Sequence, residues 1–254
     1  MKILYPDRIT GITADEENAN YLIANARNDC PKEKWKATSE DARVILVVSQ
    51  GAGCAIFEAN ATGIVAVVND IGLTCSWLAG NAWITGTAWL GETSVTATYG
   101  IANGKGALWI DYAEISEEHT IHLYFTAAAG TIIAAGIIQA GDVSSFRDPS
   151  QGVGEGLKDY SIIRKLNTGA PYIKKRAIAR TFQFQVTEDR DTDFYTFMLD
   201  IMRERGGAAL PWRLVTDSLT GWEWIVFADM EAMPQGDHFE PAHARLGVTL
   251  TEAT

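Results

Sequence analysis

The sequence has little of what disulfide frameworks, membrane spans and basic nucleic-acid surfaces require. Three widely spaced cysteines, Cys30, Cys54 and Cys75, form no CxxC pair, which indicates free thiols in a reducing cytosol. No apolar run approaches the length of a membrane span, and MKILYPDRITG has no apolar signal-peptide core. The chain carries 32 acidic against 21 basic residues, a net charge of −11. We therefore expect neither a nucleic-acid partner nor membrane insertion.

Catalytic signatures are also scarce. There is no G-x-S-x-G elbow and no obvious Cys–His pair. The GVGEG segment, with Gly152, Gly154 and Gly156, lacks the flanking strand and helix of a dinucleotide loop. We expect a non-enzymatic protein without a cofactor, because the one hydrolase alternative rests on carboxylates that any acidic protein has in number. Those carboxylates, in DYAEISEEH, are Asp111, Glu114, Glu117 and Glu118.

The four histidines do not form a clear metal site. His119 and His122 are three residues apart beside a predicted strand, so they should point to opposite faces of the sheet. His238 and His243 lie in DHFEPAH, near Asp237 and Glu240, and are the alternative metal ligands. Because Pro241 makes that segment a loop, we expect no bound metal there.

Residues 1–147 have the pattern of a β-rich domain. Residues 1–40 are polar and rich in Asn, and we expect an N-terminal arm and loop anchored by Tyr21, Leu22 and Trp35. Short strands separated by Gly- and Asn-rich turns follow, which is typical of a β-sandwich over residues 41–147. The predicted strands are 43–49, 54–59, 64–69, 83–90, 94–99, 107–112, 120–127 and 132–139.

The remaining chain has a different composition. Gly, Ser, Asp and Pro dominate the start of residues 148–171, which we interpret as a connector. In residues 172–254, Ile178, Phe182, Phe184 and Val186 alternate with polar residues, so they should line one face of a strand, with Arg180 the exception. An α-helix is predicted next, with an acidic start, a basic last turn and glycines at its end. Its apolar stripe is Phe194, Phe197, Met198, Ile201 and Met202.

The basic residues are concentrated in one part of this acidic protein. Between residues 158 and 180 there are seven basic residues against one acidic residue, Asp159. A solvated face is the alternative, but we interpret the run as a docking edge for an acidic neighbour, such as another copy of the chain. The predicted interface residues are Lys158, Arg164, Lys165, Lys174, Lys175, Arg176 and Arg180.

Two segments resemble parts of tailed-bacteriophage virion proteins. NARNDCPKEKWKAT through ARVILVVSQGAGCAIFEANATGIVAVV resembles their discoidin-like, galactose-binding-like jelly rolls, with Trp35–Ala37 and the Asn60–Ala61 turn as matching elements. GALWIDYAEISEEHTIHLYFTAAAGTIIAAGIIQAGDVSSF is similar to the closing half of such a sandwich. KKRAIARTFQFQVTEDRDTDFYTFMLDIMRERGGAALPWRLV resembles small tail-tip and baseplate domains. No sugar-binding or calcium-binding residue of the discoidin family matches a position here.

The resemblance implies a fold and a role. The fold is mainly β, an N-terminal jelly-roll-like sandwich plus a smaller C-terminal α+β domain, barrel-like with one helix, that docks or forms rings. The role is a non-enzymatic structural protein of the phage tail, tail tip or baseplate, made in the host bacterial cytoplasm and located in the virion. Its partners would be further copies of itself and other tail proteins. The alternative is an adhesin that binds host glycans through exposed Trp faces.

Overall fold

The structure of the chain is a computed structural model, which describes residues 1–28, 30–61, 63–68, 75–78, 96–102, 105–150, 152–165, 171–189, 193–204, 209–214, 225–230, 235–237 and 242–253. The chain divides into two compact units. Unit 1 is Met1–Ser145 with Leu210–Val226, and unit 2 is Phe146–Ala209 with Phe227–Thr254. The predicted mainly-β fold is confirmed, because antiparallel sheets dominate the structure. Within the described ranges, no helix has the length and apolar character that a membrane crossing requires.

The strands are numbered here in chain order. Those that lie in unit 1 are β1 (Lys2–Asp7), β2 (Ile9–Ala14), β3 (Trp35–Lys36), β4 (Asp41–Val48), β5 (Gly51–Ala59), β6 (Gly63–Val68), β7 (Cys75–Leu78), β8 (Thr96–Ala102), β9 (Lys105–Ile115), β10 (His119–Thr126), β11 (Ala134–Ala135), β12 (Ile137–Ser145) and β17 (Leu210–Arg213). Unit 2 contains β13 (Val153–Asp159), β14 (Ile162–Lys165), β15 (Pro171–Lys174), β16 (Ile178–Asp189), residues 227–230 of β18 (Ile225–Met230), β19 (Gln235–Asp237) and β20 (His243–Glu252). A 3₁₀-helix spans Ile23–Arg27, and a π-helix spans Thr196–Arg203.

Unit 1 is a sandwich of two antiparallel sheets. One sheet has the strand order β17-β1-β12-β5-β9-β8, and the other has the order β2-β4-β10-β6-β7. Along β4, buried and half-buried residues alternate, as expected of a strand with one face on a core. Val44 of β4 belongs to the same hydrophobic cluster as Ile56 of β5 and Ile110 of β9. The inward faces of the two sheets therefore share one core, which is the predicted sandwich architecture.

Trp35 is the largest side chain in that core. It is fully buried and packs edge-to-face on Phe125 of β10, with ring centroids 5.5 Å apart. Ile23 and Ala26 of the 3₁₀-helix belong to the same cluster. The segment before β4 therefore supplies core residues, and Trp35 has the anchoring position that the sequence predicts, whereas Leu22 is 46% exposed.

Unit 2 contains a four-stranded stretch of sheet with the order β13-β16-β20-β18, and β19 also pairs with β20. Phe182, Phe184 and Val186 of β16 are buried on one face, as the alternating sequence predicts. Ile178 differs from that prediction, because it is 57% exposed. The pairing of β16 with β20 begins only at Thr181, so Ile178 lies beyond the last partner strand on that side.

The helix of unit 2 is wound differently from the prediction. The sequence predicts an α-helix, but Thr196–Arg203 form a π-helix, which has hydrogen bonds to the fifth residue. Phe197 is buried and packs edge-to-face on Phe146, with centroids 5.3 Å apart. The spacing of the apolar residues places them on one side of either helix type. It therefore could not distinguish an α-helix from a π-helix. The predicted glycine cap at Gly206 and Gly207 lies outside the described residues.

Three further expectations need correction. Residues 1–40 were expected to be an irregular arm, but they contain β1, β2, the 3₁₀-helix and β3, because apolar residues such as Ile3, Leu4 and Ile9 are buried. Residues 148–171 were expected to be a connector, but they contain β13 and β14. Leu210–Val226 belongs to unit 1, although it follows the helix of unit 2 in the chain. The predicted strand 83–90 lies outside the described residues.

Candidate functional site

The seven predicted interface residues lie on and beside one long β-hairpin. β13 pairs with β16 in antiparallel register as far as Asp159↔Ile178, and β14 pairs with β15 from Ile162↔Lys174 onward. Between these two pairs, residues 160–161 on the first strand lie opposite residues 175–177 on the second, so the second strand has one extra residue. That count defines a β-bulge, which bends a hairpin. We call β14, β15 and the residues that join them to β13 and β16 the hairpin arm.

Hydrogen bonds hold the base of the hairpin arm. The Ser161 N–H donates to Asp159 Oδ1 over 2.8 Å, and the Arg176 N–H donates to Ser161 Oγ over 3.1 Å. The Tyr160 N–H donates to the Ala177 carbonyl. The Ser161 hydroxyl and N–H together hold the pKa of Asp159 below its usual range. The bulge is therefore an ordered corner at which the arm leaves the sheet.

Apolar side chains are exposed along the arm. Tyr172 is 50% exposed and Ile173 is 54% exposed, and they are adjacent residues of β15. Side chains of adjacent strand residues point to opposite faces, so each face of the two-stranded arm has an exposed apolar residue. Leu157 of β13 is 75% exposed and lies diagonal to the exposed Ile178 across the β13–β16 pair. The apolar surface thus continues from the arm onto the edge of the sheet.

Six of the seven basic residues have described side chains, and these six fall into two groups. Arg164, Lys174, Lys175 and Arg176 are exposed, and no carboxylate among the described residues lies within ion-pairing distance of them. Arg180 instead pairs with Glu155 of β13 over 2.9 Å, and its guanidinium lies 4.7 Å from the Phe182 ring centroid. The Lys158 ammonium lies 5.5 Å from the Tyr160 ring centroid.

These contacts reduce the number of predicted interface residues that are available to a partner. Arg180, the exception on its strand face, is bound within unit 2, and Lys158 has partners of its own. The Lys165 side chain is outside what the structure describes. Among the described basic residues of this segment, those with no carboxylate within ion-pairing distance in the described part of the chain therefore lie on the hairpin arm, with Tyr172 and Ile173.

The acidic segment considered for hydrolysis is divided between a charge network and a turn. Asp111 accepts hydrogen bonds from Lys2 Nζ at 2.8 Å, Trp109 Nε1 at 2.9 Å and Arg213 Nη1 at 3.0 Å. These contacts join three strands of one sheet of unit 1, which is a structural role. Glu114, Glu117 and Glu118 are exposed at or near the turn that connects β9 to β10.

The described histidines have partners within the protein. His119 is buried, with Nε2 3.0 Å from the Tyr112 hydroxyl, whereas His122 stacks on Tyr124 on the other face of β10, as predicted. His243 Nδ1 lies 3.1 Å from Asp189 Oδ1. His238 lies outside the described residues. Within the described ranges, no group of three or more His, Cys, Asp or Glu side chains could hold a metal ion.

The tryptophans bear on the glycan-binding alternative. Trp35, Trp109 and Trp212 are each at most 1% exposed, so a sugar ring cannot stack on them. The side chains of the other five tryptophans lie outside the described part of the chain. In the part that is described, no feature favours glycan binding through exposed tryptophan faces.

Two features of unit 2 escaped the sequence reasoning. GVGEGLKD was interpreted as connector, but its last seven residues form β13, an edge strand whose glycines weaken the usual sequence pattern of a strand. Glu188 is fully buried in β16, where one carboxylate oxygen accepts the Arg147 N–H at 2.7 Å and the other has no hydrogen-bond partner among the described residues. Burial raises the pKa of this carboxyl above its usual value, and the nearby charge of Asp193 also raises it. The sequence contained one signal of this burial, because Glu188 continues the even-numbered series of Phe182, Phe184 and Val186 on the buried face of the strand.

Comparisons with known proteins do not assign the chain to a family. No protein-family model matches it, and neither curated proteins nor solved structures gave a match. The resemblance to phage tail proteins therefore stays a prediction from the sequence segments that carry it. The functional reasoning below rests on that resemblance and on the geometry of the hairpin arm and its neighbouring strand.

Proposed function

We propose that this chain is a non-enzymatic structural component of a tailed-phage virion, assembled as a homo-oligomer in the tail, tail tip or baseplate. The hairpin arm is the part that docks, and further copies of the chain and other tail proteins are its partners. The observation that carries the proposal is the exposure on this arm of apolar residues together with basic residues that have no ion partner among the described residues. The resemblance of the sequence to virion proteins supplies the biological setting.

Among the described strands, β14 and β15 of the hairpin arm pair only with each other. An isolated two-stranded hairpin is at best marginally stable in water and needs a further layer or strand. Here, Tyr172 and Ile173 are half exposed on opposite faces. Adjacent apolar residues surrounded by charge are typical of protein–protein contacts. A docked neighbour would bury both residues and supply the missing layer.

Charge favours another copy of this chain as the neighbour. The chain as a whole carries −11, whereas its region 158–180 is strongly basic. The turn between β9 and β10 offers Glu114, Glu117 and Glu118, which are exposed and have no cation within ion-pairing distance among the described residues. A basic arm on one copy that meets an acidic surface on the next is a head-to-tail contact, the type from which closed rings are built.

Charge reversal on the arm tests this assembly. We expect the full-length protein to be oligomeric by mass photometry at low ionic strength and to dissociate as salt is raised. Lys174→Glu with Lys175→Glu should weaken self-association by about tenfold or more, since like charges would then face each other. Lys32→Glu with Arg203→Glu is the matched control, because both residues are exposed, lie outside the arm and change the net charge equally.

The outcomes separate the parts of the proposal. A wild-type protein that stays monomeric at all salt concentrations would overturn self-assembly. Equal behaviour of the two charge variants would remove the arm from the interface. For the virion setting, mass spectrometry of purified phage particles that encode this chain should find it in stoichiometric amounts. Its absence from intact particles would refute the structural role.

A further inference from the structure

β13 is an edge strand that offers unused backbone hydrogen-bonding groups. Among the described strands it lies at the end of the sheet order and pairs only with β16, and residues 154–157 are all exposed. It contains no proline, and its pairing with β16 has no register shift from Val153 to Asp159. Edge strands of this regular kind are templates for another strand, and proteins usually protect them.

The hydrogen bonds of unit 2 show which backbone groups point outward. The Tyr160 N–H donates to Ala177, and the Ser150 N–H donates to Gln185, so the odd-numbered residues of β16 face β13. Their partners in register are the even-numbered residues of β13. Because hydrogen-bonded and non-hydrogen-bonded pairs alternate in an antiparallel ladder, the odd-numbered residues of β13 point their N–H and C=O groups to the free edge. These are Val153, Glu155, Leu157 and Asp159.

We propose that β13 of a second copy pairs antiparallel with this edge, so that one sheet continues across a two-fold axis. The second copy is favoured because β13 can pair with itself in a register that places no like charges opposite each other, and because the exposed Leu157 of both copies lies on this edge. Such a contact is isologous and adds to the head-to-tail contact of the arm. The inference rests on the self-assembly proposed above.

Charge selects one register for this pairing. The outward-pointing, odd-numbered residues must lie opposite each other, so the register can shift only in steps of two residues. With Gly156 opposite Gly156, the whole strand pairs, Glu155 faces Leu157, and Val153 faces Asp159. A shift of one step places Glu155 opposite a second Glu155 or opposite Asp159, and like charges directly opposite are destabilising. The register centred on Gly156 is therefore the one that we propose.

A proline at an outward-pointing residue tests the pairing. Leu157→Pro removes an N–H that points to the free edge and leaves the β13–β16 ladder its donors. Leu157→Ala is the matched control, because it removes the same side chain but keeps the N–H. We expect Leu157→Pro to self-associate about tenfold or more weakly than Leu157→Ala in sedimentation equilibrium, with unchanged far-UV circular dichroism.

Cysteine trapping tests the register independently of stability. In the proposed register Gly154 lies opposite Lys158, at a non-hydrogen-bonded pair whose short Cα separation suits a disulfide. The Gly154→Cys/Lys158→Cys variant, in a Cys30→Ser background, should form a covalent dimer on mild oxidation, and neither single variant should. A mixture of the two single variants should form the dimer as well. A Cβ at Gly154 would meet Gln183 at 3.4 Å, an ordinary contact.

Each outcome decides a separate question. A monomeric wild-type protein would overturn both this inference and the self-assembly on which it rests. An oligomer in which Leu157→Pro equals Leu157→Ala would overturn edge pairing and leave the docking of the arm intact. Covalent dimers from either single variant alone would overturn the register. Cross-links that form within one chain, with no gain in mass, would overturn pairing between copies.

Discussion

The two units of the chain differ in how exposed the large apolar side chains of their described strands are. In unit 1, Trp35 is enclosed by the core, and the charge of Asp111 is met by Lys2 and Arg213. In unit 2, Leu157, Ile173 and Ile178 of the described strands are each more than half exposed. On the described strands of unit 1, the most exposed large apolar residue is Tyr124, at 39%. The difference supports the proposal that unit 2 makes the contacts between copies.

The largest expected effect lies in the core of unit 1. Trp35→Ala should lower the free energy of unfolding by about 3–5 kcal/mol, because it removes a fully buried aromatic side chain and leaves a cavity. Leu22→Ala is the control, since Leu22 is 46% exposed and should change stability by less than about 0.5 kcal/mol. Urea unfolding followed by fluorescence measures both values. Similar losses for the two variants would contradict the assigned core.

The charge network around Asp111 should give the next largest effect. Asp111→Asn removes the negative charge and one acceptor from Lys2 and Arg213, and the Arg213 side chain is only 9% exposed. We expect a loss of about 2–3 kcal/mol in the free energy of unfolding. Glu117→Gln, at an exposed position outside the network, should cost less than about 0.5 kcal/mol. If raising the salt concentration removed the whole difference between the variants, the network would be a surface feature instead.

Glu188 should make the stability of unit 2 depend on pH. Because its pKa is raised in the folded protein, the folded state binds more protons than the unfolded state above the ordinary value of 4.5. The contribution of Glu188 to the free energy of unfolding is therefore most favourable at low pH. It is lost as the pH rises through the raised pKa of the folded state. Glu188→Gln keeps an acceptor for the Arg147 N–H and should not lose this contribution.

Thermal unfolding from about pH 4 to pH 7 measures that difference. The stability of Glu188→Gln relative to the wild type should increase with pH. Asp229→Asn is a control at an exposed carboxylate of the same sheet. A constant difference across the pH range would show that the buried carboxyl does not titrate between the two states.

The smallest expected effect on stability lies on the hairpin arm. Ile173→Ser should change the free energy of unfolding by less than about 0.5 kcal/mol in dilute, monomeric protein, because the side chain is already half exposed. The same substitution should weaken self-association. A large loss of stability in the monomer would show that Ile173 is covered within its own chain, and the contrast between the units would fail.

The period of two was a reliable guide where strands are covered on one face. It predicted the burial of Phe182, Phe184 and Val186, because alternating side chains meet the core whatever the surrounding topology. The same rule failed at Ile178. Burial there depends on whether β20 extends that far, which the local pattern does not contain.

For the candidate site, the sequence by itself determined that positive charge is concentrated between residues 158 and 180 of an acidic chain. Only the tertiary structure decided which of these charges have an ion partner among the described residues. Arg180 meets Glu155 across a strand pair, while Lys174 and Lys175 extend beyond the sheet on the arm. The edge position of β13 was likewise decided by strand order. The pairing of strands that are distant in sequence determines which charges meet and which strand lies at a sheet edge. Composition and local periodicity do not reveal that pairing.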